Sequence, residues 1–177
     1  MKGPLDIHRQ LLAGDVPHEV VQLPRRISTA EELPDALDVL PQTCDVVHLL
    51  YADDTPWAVV LGAGATWSPI RLSRALRATR LRRAHPAETS VVTDYTPSLV
   101  SPLALPPSLS LLVDADFAAQ DVIWVPTGET ATAVRIRARD LLATTHALVD
   151  AVVDPCVIPL PAGDSGALPA HFSARAG

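Results

Sequence analysis

The sequence predicts one domain of the α/β (α+β) class, and three features carry that prediction. The chain has 177 residues, of which 48% are hydrophobic, enough to close one core. Two β-rich runs, DVVHLLYA and PWAVVLGAG, flank a short turn at residues 53–56 and predict a hairpin over 45–62. Helical periodicity follows in IRLSRALRATRLRRA, which predicts a helix from Pro69 through Arg83.

The remaining segments complete this alternation of helices and strands. Residues 4–13 predict a short helix that stops at Gly14, and VPHEVVQL predicts a strand after it. The strings LSLLVD, DVIWVP and TAVRIR predict three strands near residues 109–137, and ARDLLATTHAL predicts a helix after them. We expect these strands and the hairpin to build one sheet system around a single pocket.

Residues 1–154 are predicted to form the folded domain. Residues 155–177, PCVIPLPAGDSGALPAHFSARAG, are dominated by Pro, Gly, Ala and Ser and show no periodicity that could bury a face. We therefore expect a loosely ordered C-terminal tail.

The charge balance argues against a protein that grips nucleic acid over its whole surface. The formal net charge is −6, so we expect at most a local contact with RNA and no DNA partner.

The two cysteines are far apart in sequence and predict free thiols in a reducing compartment. Because no apolar stretch suits export or membrane insertion, a cytoplasmic location without a membrane partner is expected.

Several motifs of cofactor and metal chemistry are incomplete. Gly62-Ala63-Gly64 follows a strand, but Trp67 occupies the third glycine position of a dinucleotide-binding loop. The only lysine is Lys2, which excludes a P-loop, and the six histidines show neither HxH nor HExxH spacing. Neither a cofactor nor a metal is expected.

Between about Val16 and Asp154 the chain contains, in this order, the strings TAEELPDALDV, DVVHLLYADDTPWAVVLGAG, SPIRLSRALRATRLRRAHPAE, TDYTPSLVSPLAL, LLVDADF and VPTGETATAVRIRARDLL. Together these six strings resemble the YbaK-like family, which includes the editing insertion of bacterial prolyl-tRNA synthetases and free-standing trans-editing deacylases.

The resemblance implies a curved, barrel-like mixed sheet with flanking helices. It also implies hydrolysis of the ester that joins a mischarged amino acid to the 3′-terminal adenosine of tRNA, commonly alanine or cysteine on tRNA for proline. The implied partners are the acceptor end of tRNA and an aminoacyl-tRNA synthetase, and no metal or organic cofactor is implied.

Three positions carry over as catalytic candidates. His48 stands where the family usually has a lysine that binds the terminal phosphate, and histidine could replace it only if its cation is favoured. Ser98 stands where the family has a glycine, as does Asp94, and serine at position 98 adds a β-carbon where the family's backbone would need a positive φ or a close approach to the substrate. Gly128 is the glycine that remains of a later turn.

A second group is implied in substrate binding. It comprises Tyr95, Pro97, Ser101 and Pro102 of the proline-rich loop, with His18 on the first strand. The loop residues could equally shape a rigid loop, and the histidines could be ordinary half-buried strand residues.

Arginines recur every three residues at Arg71, Arg74 and Arg77 and predict a basic helix flank. This flank either contacts RNA at the pocket mouth or is a solvated face paired with acidic neighbours.

Two functions of different classes remain open. The first is an aminoacyl-tRNA deacylase, and the second is a YbaK-like binding module that has lost hydrolysis and recognises an aminoacyl or nucleotide-like ligand or a protein partner. A deacylation screen with mischarged tRNAs separates them.

Overall fold

The computed structural model describes residues 1–154, so the predicted tail lies outside the described residues. Helices and strands alternate along the chain as expected for an α/β domain. In chain order they are α1 (Pro4–Ala13), β1 (His18–Gln22), α2 (Leu33–Leu37), β2 (Asp45–Ala52), β3 (Thr55–Gly62), α3 (Pro69–Leu76), β4 (Leu81–Arg83), α4 (Pro86–Thr93), β5 (Ser110–Asp114), α5 (Ala115–Ala118), β6 (Val122–Pro126), β7 (Thr132–Arg137), α6 (Ala138–Thr145) and β8 (Leu148–Asp150).

The strands form two sheets. One has three antiparallel strands in the order β1-β7-β6, and the other has five in the order β4-β2-β3-β5-β8. The β3–β5 and β5–β8 pairs are parallel and the β2–β3 and β2–β4 pairs antiparallel, so the larger sheet is mixed. An isolated bridge between Cys44 and Trp124 links the start of β2 to β6 in the smaller sheet. The mixed α/β architecture with flanking helices is confirmed, but within residues 1–154 the strands expected to build one sheet system are divided between two sheets.

The predicted hairpin is formed by β2 and β3. Their register pairs Asp45 with Gly62 at one end and Ala52 with Thr55 at the other. The two residues between them, Asp53 and Asp54, both have positive φ, at 46° and 71°. Two left-handed residues in a two-residue loop suit the right-handed twist of a hairpin, and Asp tolerates this conformation better than most residues.

The apolar residues of β2 divide between its two faces. Val47 and Leu49 join a core cluster that also contains the fully buried Tyr95, whereas Leu50 joins a cluster beneath α3. His48 shares the face of Leu50 because side chains alternate along a strand. The sequence of β2 therefore places His48 opposite the face that packs on the proline-rich loop core.

The prediction of one helix from Pro69 through Arg83 is wrong beyond Leu76, where α3 ends. Arg77 adopts a left-handed conformation with φ of 53°, which ends α3. The carboxylate of Asp53 then accepts hydrogen bonds from the backbone N–H groups of Thr79 and Arg80, each within 2.9 Å. This contact with the hairpin turn directs residues 81–83 into β4, which pairs with β2.

None of the helices described in residues 1–154 has the length and apolarity needed to span a membrane.

Candidate functional site

A small cleft opens at the edge of β2 where its pairing with β4 ends. Its volume is about 150 Å³. It brings together His48 and Pro97, two of the candidates proposed from the sequence, with Arg83 of β4. The full lining consists of Val47, His48, Leu49, Arg83, Ala84, Pro86, Thr89 and Pro97. We call it the His48 cleft.

Pro102 lies elsewhere. It lines a larger cavity of about 600 Å³ together with Trp57 and His146. The expected single pocket is therefore wrong, because the proline-rich loop contributes Pro97 to one cavity and Pro102 to another.

His48 is held neutral by its surroundings. Burial, followed by the positive charge of Arg83, lowers the pKa of the imidazole from 6.5 to about 4. Both causes disfavour the cation that a phosphate contact by His48 would require. At neutral pH the ring instead offers one N–H donor and one nitrogen acceptor.

Arg83 is a cleft residue that the sequence pattern groups with the arginines of the predicted helix. It pairs with Leu50 across the β2–β4 ladder, so it lies diagonally from His48 on the same face. Its guanidinium carbon lies 5.2 Å from the centroid of the Trp67 ring. The sequence alone does not place Arg83 in the cleft, because its position beside His48 follows only once residues 81–83 are known to form a strand.

The neighbouring Arg82 faces the other way. It pairs with Tyr51 in the ladder, and its guanidinium lies 3.9 Å from the Tyr51 ring centroid. Both terminal nitrogens donate to the carboxylate of Glu88, each at 2.9 Å. Two adjacent arginines therefore differ in their partners, since one is bound by a carboxylate and the other stands at the cleft.

The loop that carries Pro97 is anchored by buried polar contacts. Tyr95 is fully buried, and its hydroxyl donates to the carbonyl oxygen of Leu103 at 2.9 Å. Burial raises the pKa of this phenol, which therefore remains protonated. Ser101 is also buried, and its hydroxyl accepts from the backbone N–H of Leu103 at 3.3 Å. Tyr95 and Ser101 shape the loop from within.

Ser98 is exposed and joins the loop to the segment before α2. Its hydroxyl donates to the carbonyl oxygen of Ser28 at 2.8 Å, and its own carbonyl oxygen accepts from the N–H of Ala30 at 2.9 Å. Asp94 has a φ of 61°, but Ser98 is not among the positive-φ residues of 1–154. The β-carbon of Ser98 therefore introduces no backbone strain, while Asp94 takes the left-handed conformation at its position.

Gly128 packs against Tyr95 of the proline-rich loop. Its φ is +88°, and a β-carbon there would stand 2.7 Å from Cδ1 of Tyr95 and 2.7 Å from the carbonyl oxygen of Lys2. The contacts of Gly128 are thus with Tyr95 and the N-terminal segment rather than with the His48 cleft.

The other candidates lie apart from the cleft lining. Both ring nitrogens of His18 are engaged, with Nδ1 at 2.7 Å from the Val16 carbonyl oxygen and Nε2 at 2.7 Å from Nδ1 of His8. Arg71 and Arg74 are exposed on α3, and Arg77 is exposed just after it. None of these arginines lines the His48 cleft.

Asp45 is a buried carboxyl group that no sequence pattern singles out. It is fully buried, and neither carboxyl oxygen has a hydrogen-bond partner among residues 1–154. Burial raises the pKa of Asp45 well above 3.8. Burial likewise raises the pKa of the adjacent Cys44 thiol to about 12, so this free cysteine supplies no thiolate.

No group of three or more His, Cys, Asp or Glu side chains suited to a metal ion occurs within residues 1–154.

Comparison with known proteins identifies both a family and a fold. Residues 25–144 match the aminoacyl-tRNA editing domain family. A hypothetical protein, APE2540, superposes with a TM-score of 0.78 at 19% identity, over 84% of this chain and 99% of that one. A candidate trans-editing enzyme for prolyl-tRNA synthetase superposes with a TM-score of 0.74 at 21% identity, over 85% and 96% of the two chains. No curated protein matches the chain in sequence.

Proposed function

The chain belongs to the YbaK-like family of aminoacyl-tRNA editing domains, and we propose that it hydrolyses the ester of a mischarged aminoacyl-tRNA. A small amino acid on tRNA for proline is the first substrate to test. The observation that carries this proposal is the family match over residues 25–144, which includes His48, Arg83 and Pro97 of the cleft.

In the proposed reaction a water attacks the ester carbonyl, the bond to the ribose oxygen breaks, and that oxygen leaves with a proton. The neutral imidazole of His48 is suited to accept a hydrogen bond from the water or the ribose hydroxyl. Its low pKa makes it a positioning group more than a strong base. The backbone N–H of Ser98 is proposed to donate a hydrogen bond to the oxyanion that develops on the ester carbonyl.

The substrate contacts follow from the walls of the cleft. Pro97 is proposed to limit the space beside the aminoacyl group, and a volume of about 150 Å³ suits a small side chain. Tyr95, Ser101 and Gly128 are proposed to act by holding the loop, because their contacts are internal. His18 and Pro102 lie outside the cleft lining and could reach only more distant parts of the substrate.

The exposed Arg71, Arg74 and Arg77 are proposed as the local surface for the tRNA acceptor stem. A synthetase that supplies the mischarged tRNA is the second proposed partner.

One observation favours a binding module without hydrolysis. His48 stands where the family usually has a permanently charged lysine, and its pKa of about 4 leaves it uncharged at neutral pH. Such a module would bind the aminoacyl-adenosine end without cleaving the ester.

Single-turnover deacylation of a panel of mischarged tRNAs tests the proposal, with hydrolysis in the absence of protein subtracted. The wild type is expected to release alanine or cysteine from tRNA for proline. His48→Ala is expected to lower the rate by roughly tenfold or more, about 1.4 kcal/mol of transition-state stabilisation. If the wild type, His48→Ala and His48→Lys all fail on every tRNA tested, the binding module replaces the deacylase.

A further inference from the structure

Arg83 is the exposed cation of the His48 cleft. Within residues 1–154 it forms no ion pair, which is also true of the exposed Arg71, Arg74 and Arg77, but Arg83 is the arginine that lines this cleft. A guanidinium at the mouth of a cleft with no acidic partner keeps its full charge available for a ligand.

The position of Arg83 is fixed without neutralising it. Its register partner Leu50 places it on the face of His48, and the ring of Trp67 lies 5.2 Å from the guanidinium carbon. A cation over an aromatic ring gains a weak electrostatic attraction and loses conformational freedom while remaining a hydrogen-bond donor. The side chain is therefore held in place for a second partner.

The other ionisable group in the cleft lining, His48, does not compete with an anionic ligand for Arg83. His48 is neutral, so its N–H donor can add to the same ligand, and no acidic side chain appears in the lining of this cleft. Guanidinium groups bind planar or tetrahedral oxyanions through two parallel N–H donors. The chemistry of the lining thus fits an anionic group that enters beside a neutral polar group.

We propose that Arg83 binds a phosphate group of the ligand that occupies the His48 cleft. The identification of that phosphate as the one on the 5′ side of the terminal adenosine of tRNA rests on the proposed function. Arg83 then acts as a substrate-binding residue that holds the terminal nucleotide while its ester lies near His48.

The phosphate contact is tested directly by the binding of 5′-AMP and adenosine, titrated by NMR into the wild type, Arg83→Ala, Arg83→Lys and Arg82→Gln. The wild type and Arg82→Gln are expected to bind 5′-AMP at least tenfold more tightly than adenosine. Arg83→Ala should bind the two ligands equally, and Arg83→Lys should keep part of the preference. Melting temperatures establish that all four proteins are folded. Equal binding of the two ligands by the wild type, no binding of either at millimolar concentration, or an undiminished preference in Arg83→Ala overturns the inference.

Deacylation separates this inference from the proposed function. With an active wild type, Arg83→Ala should raise KM more than it lowers kcat and should reduce the slope of log affinity against log salt by about 0.7. An active enzyme whose KM is unchanged in Arg83→Ala contradicts the role of Arg83 and leaves the deacylase standing. If the wild type hydrolyses none of the tRNAs but prefers 5′-AMP, and Arg83→Ala loses that preference, the result contradicts the deacylase and leaves the phosphate site standing.

Discussion

The ring of Tyr95 lies so close to Gly128 that a β-carbon there would stand 2.7 Å from its Cδ1 atom. Gly128 also has a φ of +88°, a conformation that L-residues adopt only with strain. Because Tyr95 is the buried anchor of the loop that carries Pro97, the turn between β6 and β7 positions one wall of the His48 cleft. The role of Gly128 is thereby one of close packing.

Gly128→Ala is expected to reduce the free energy of unfolding by roughly 3 kcal/mol, because it adds a clash with backbone and ring to the strain of a left-handed residue. Gly64→Ala is the matched control, since Gly64 has a φ of +78° and no atom within 4 Å of an added β-carbon. It should lose only roughly 1 kcal/mol. Urea unfolding of both variants measures the difference, and equal losses would contradict the packing role.

A second prediction concerns the turn that ends α3. The Asp53 carboxylate accepts from the N–H groups of Thr79 and Arg80 and from the Thr79 hydroxyl, and the bonds to Thr79 and Arg80 lower the pKa of Asp53. Asp53→Ala should lower the urea midpoint and also weaken the 5′-AMP preference, because β4 carries Arg83. Asp54→Ala likewise replaces an aspartate of positive φ but otherwise removes only an exposed ion pair with Arg80 at 3.5 Å, so it should lower the midpoint less and leave the 5′-AMP preference unchanged.

The destabilisation caused by Asp53→Ala should be smaller in acid. The folded-state pKa is depressed, so the stabilisation is present above the unfolded pKa and is lost as pH falls through the folded one. A midpoint difference between wild type and variant that stays constant on acidification would contradict this account.

The same turn explains how far sequence could predict the structure. The hairpin follows from local signals, because its alternating apolar residues and two-residue Asp turn lie next to each other in the chain. The end of α3 depends on Asp53, more than twenty residues earlier, and no local residue such as glycine marks it. Periodicity alone therefore extends the helix through Arg83.

The candidate site was predictable in the same partial way. The position of His48 on β2 and of Pro97 in the loop could be read from the order of family-like strings. The neutral state of His48 could not, because it depends on burial and on the charge of Arg83 across the ladder. The burial of Asp45 likewise emerges only when the two sheets meet.

Asp45 provides a third prediction. Its folded pKa is raised by burial, so its contribution to stability is present below the unfolded pKa of about 4 and is lost as pH rises through the folded value. Asparagine cannot ionise. The free energy of unfolding of Asp45→Asn should therefore increase relative to wild type as pH rises from about 4 to 8. Asp35→Asn, which changes an exposed carboxylate on α2, is the control for the same substitution outside the core. A flat difference for Asp45→Asn would mean that its carboxyl titrates normally.

A fourth prediction tests the basic flank. Arg74 and Arg77 are exposed beside α3, so replacing both by Glu should weaken tRNA binding and reduce its salt slope by about one for each phosphate that the variant no longer binds. Replacing Arg137 and Arg139 by Glu makes the same change of charge near the start of α6. Equal weakening by the two double variants would assign the effect to net charge instead of to this flank.

The last prediction follows from the pKa of His48. A folded value of about 4 against an unfolded value of 6.5 means that the unfolded chain binds the additional proton between these pH values. The free energy of unfolding should therefore rise with pH across this window, by about 2–3 kcal/mol, and His48→Gln should remove that rise. For deacylation, the neutral ring is already present at pH 6, so single-turnover rates corrected for hydroxide hydrolysis should show no loss of activity from pH 6 to 8. Activity that falls through pH 6.5 and becomes flat in His48→Gln would show that the cation is the working form. That result would contradict the neutral cleft from which the role of Arg83 was inferred.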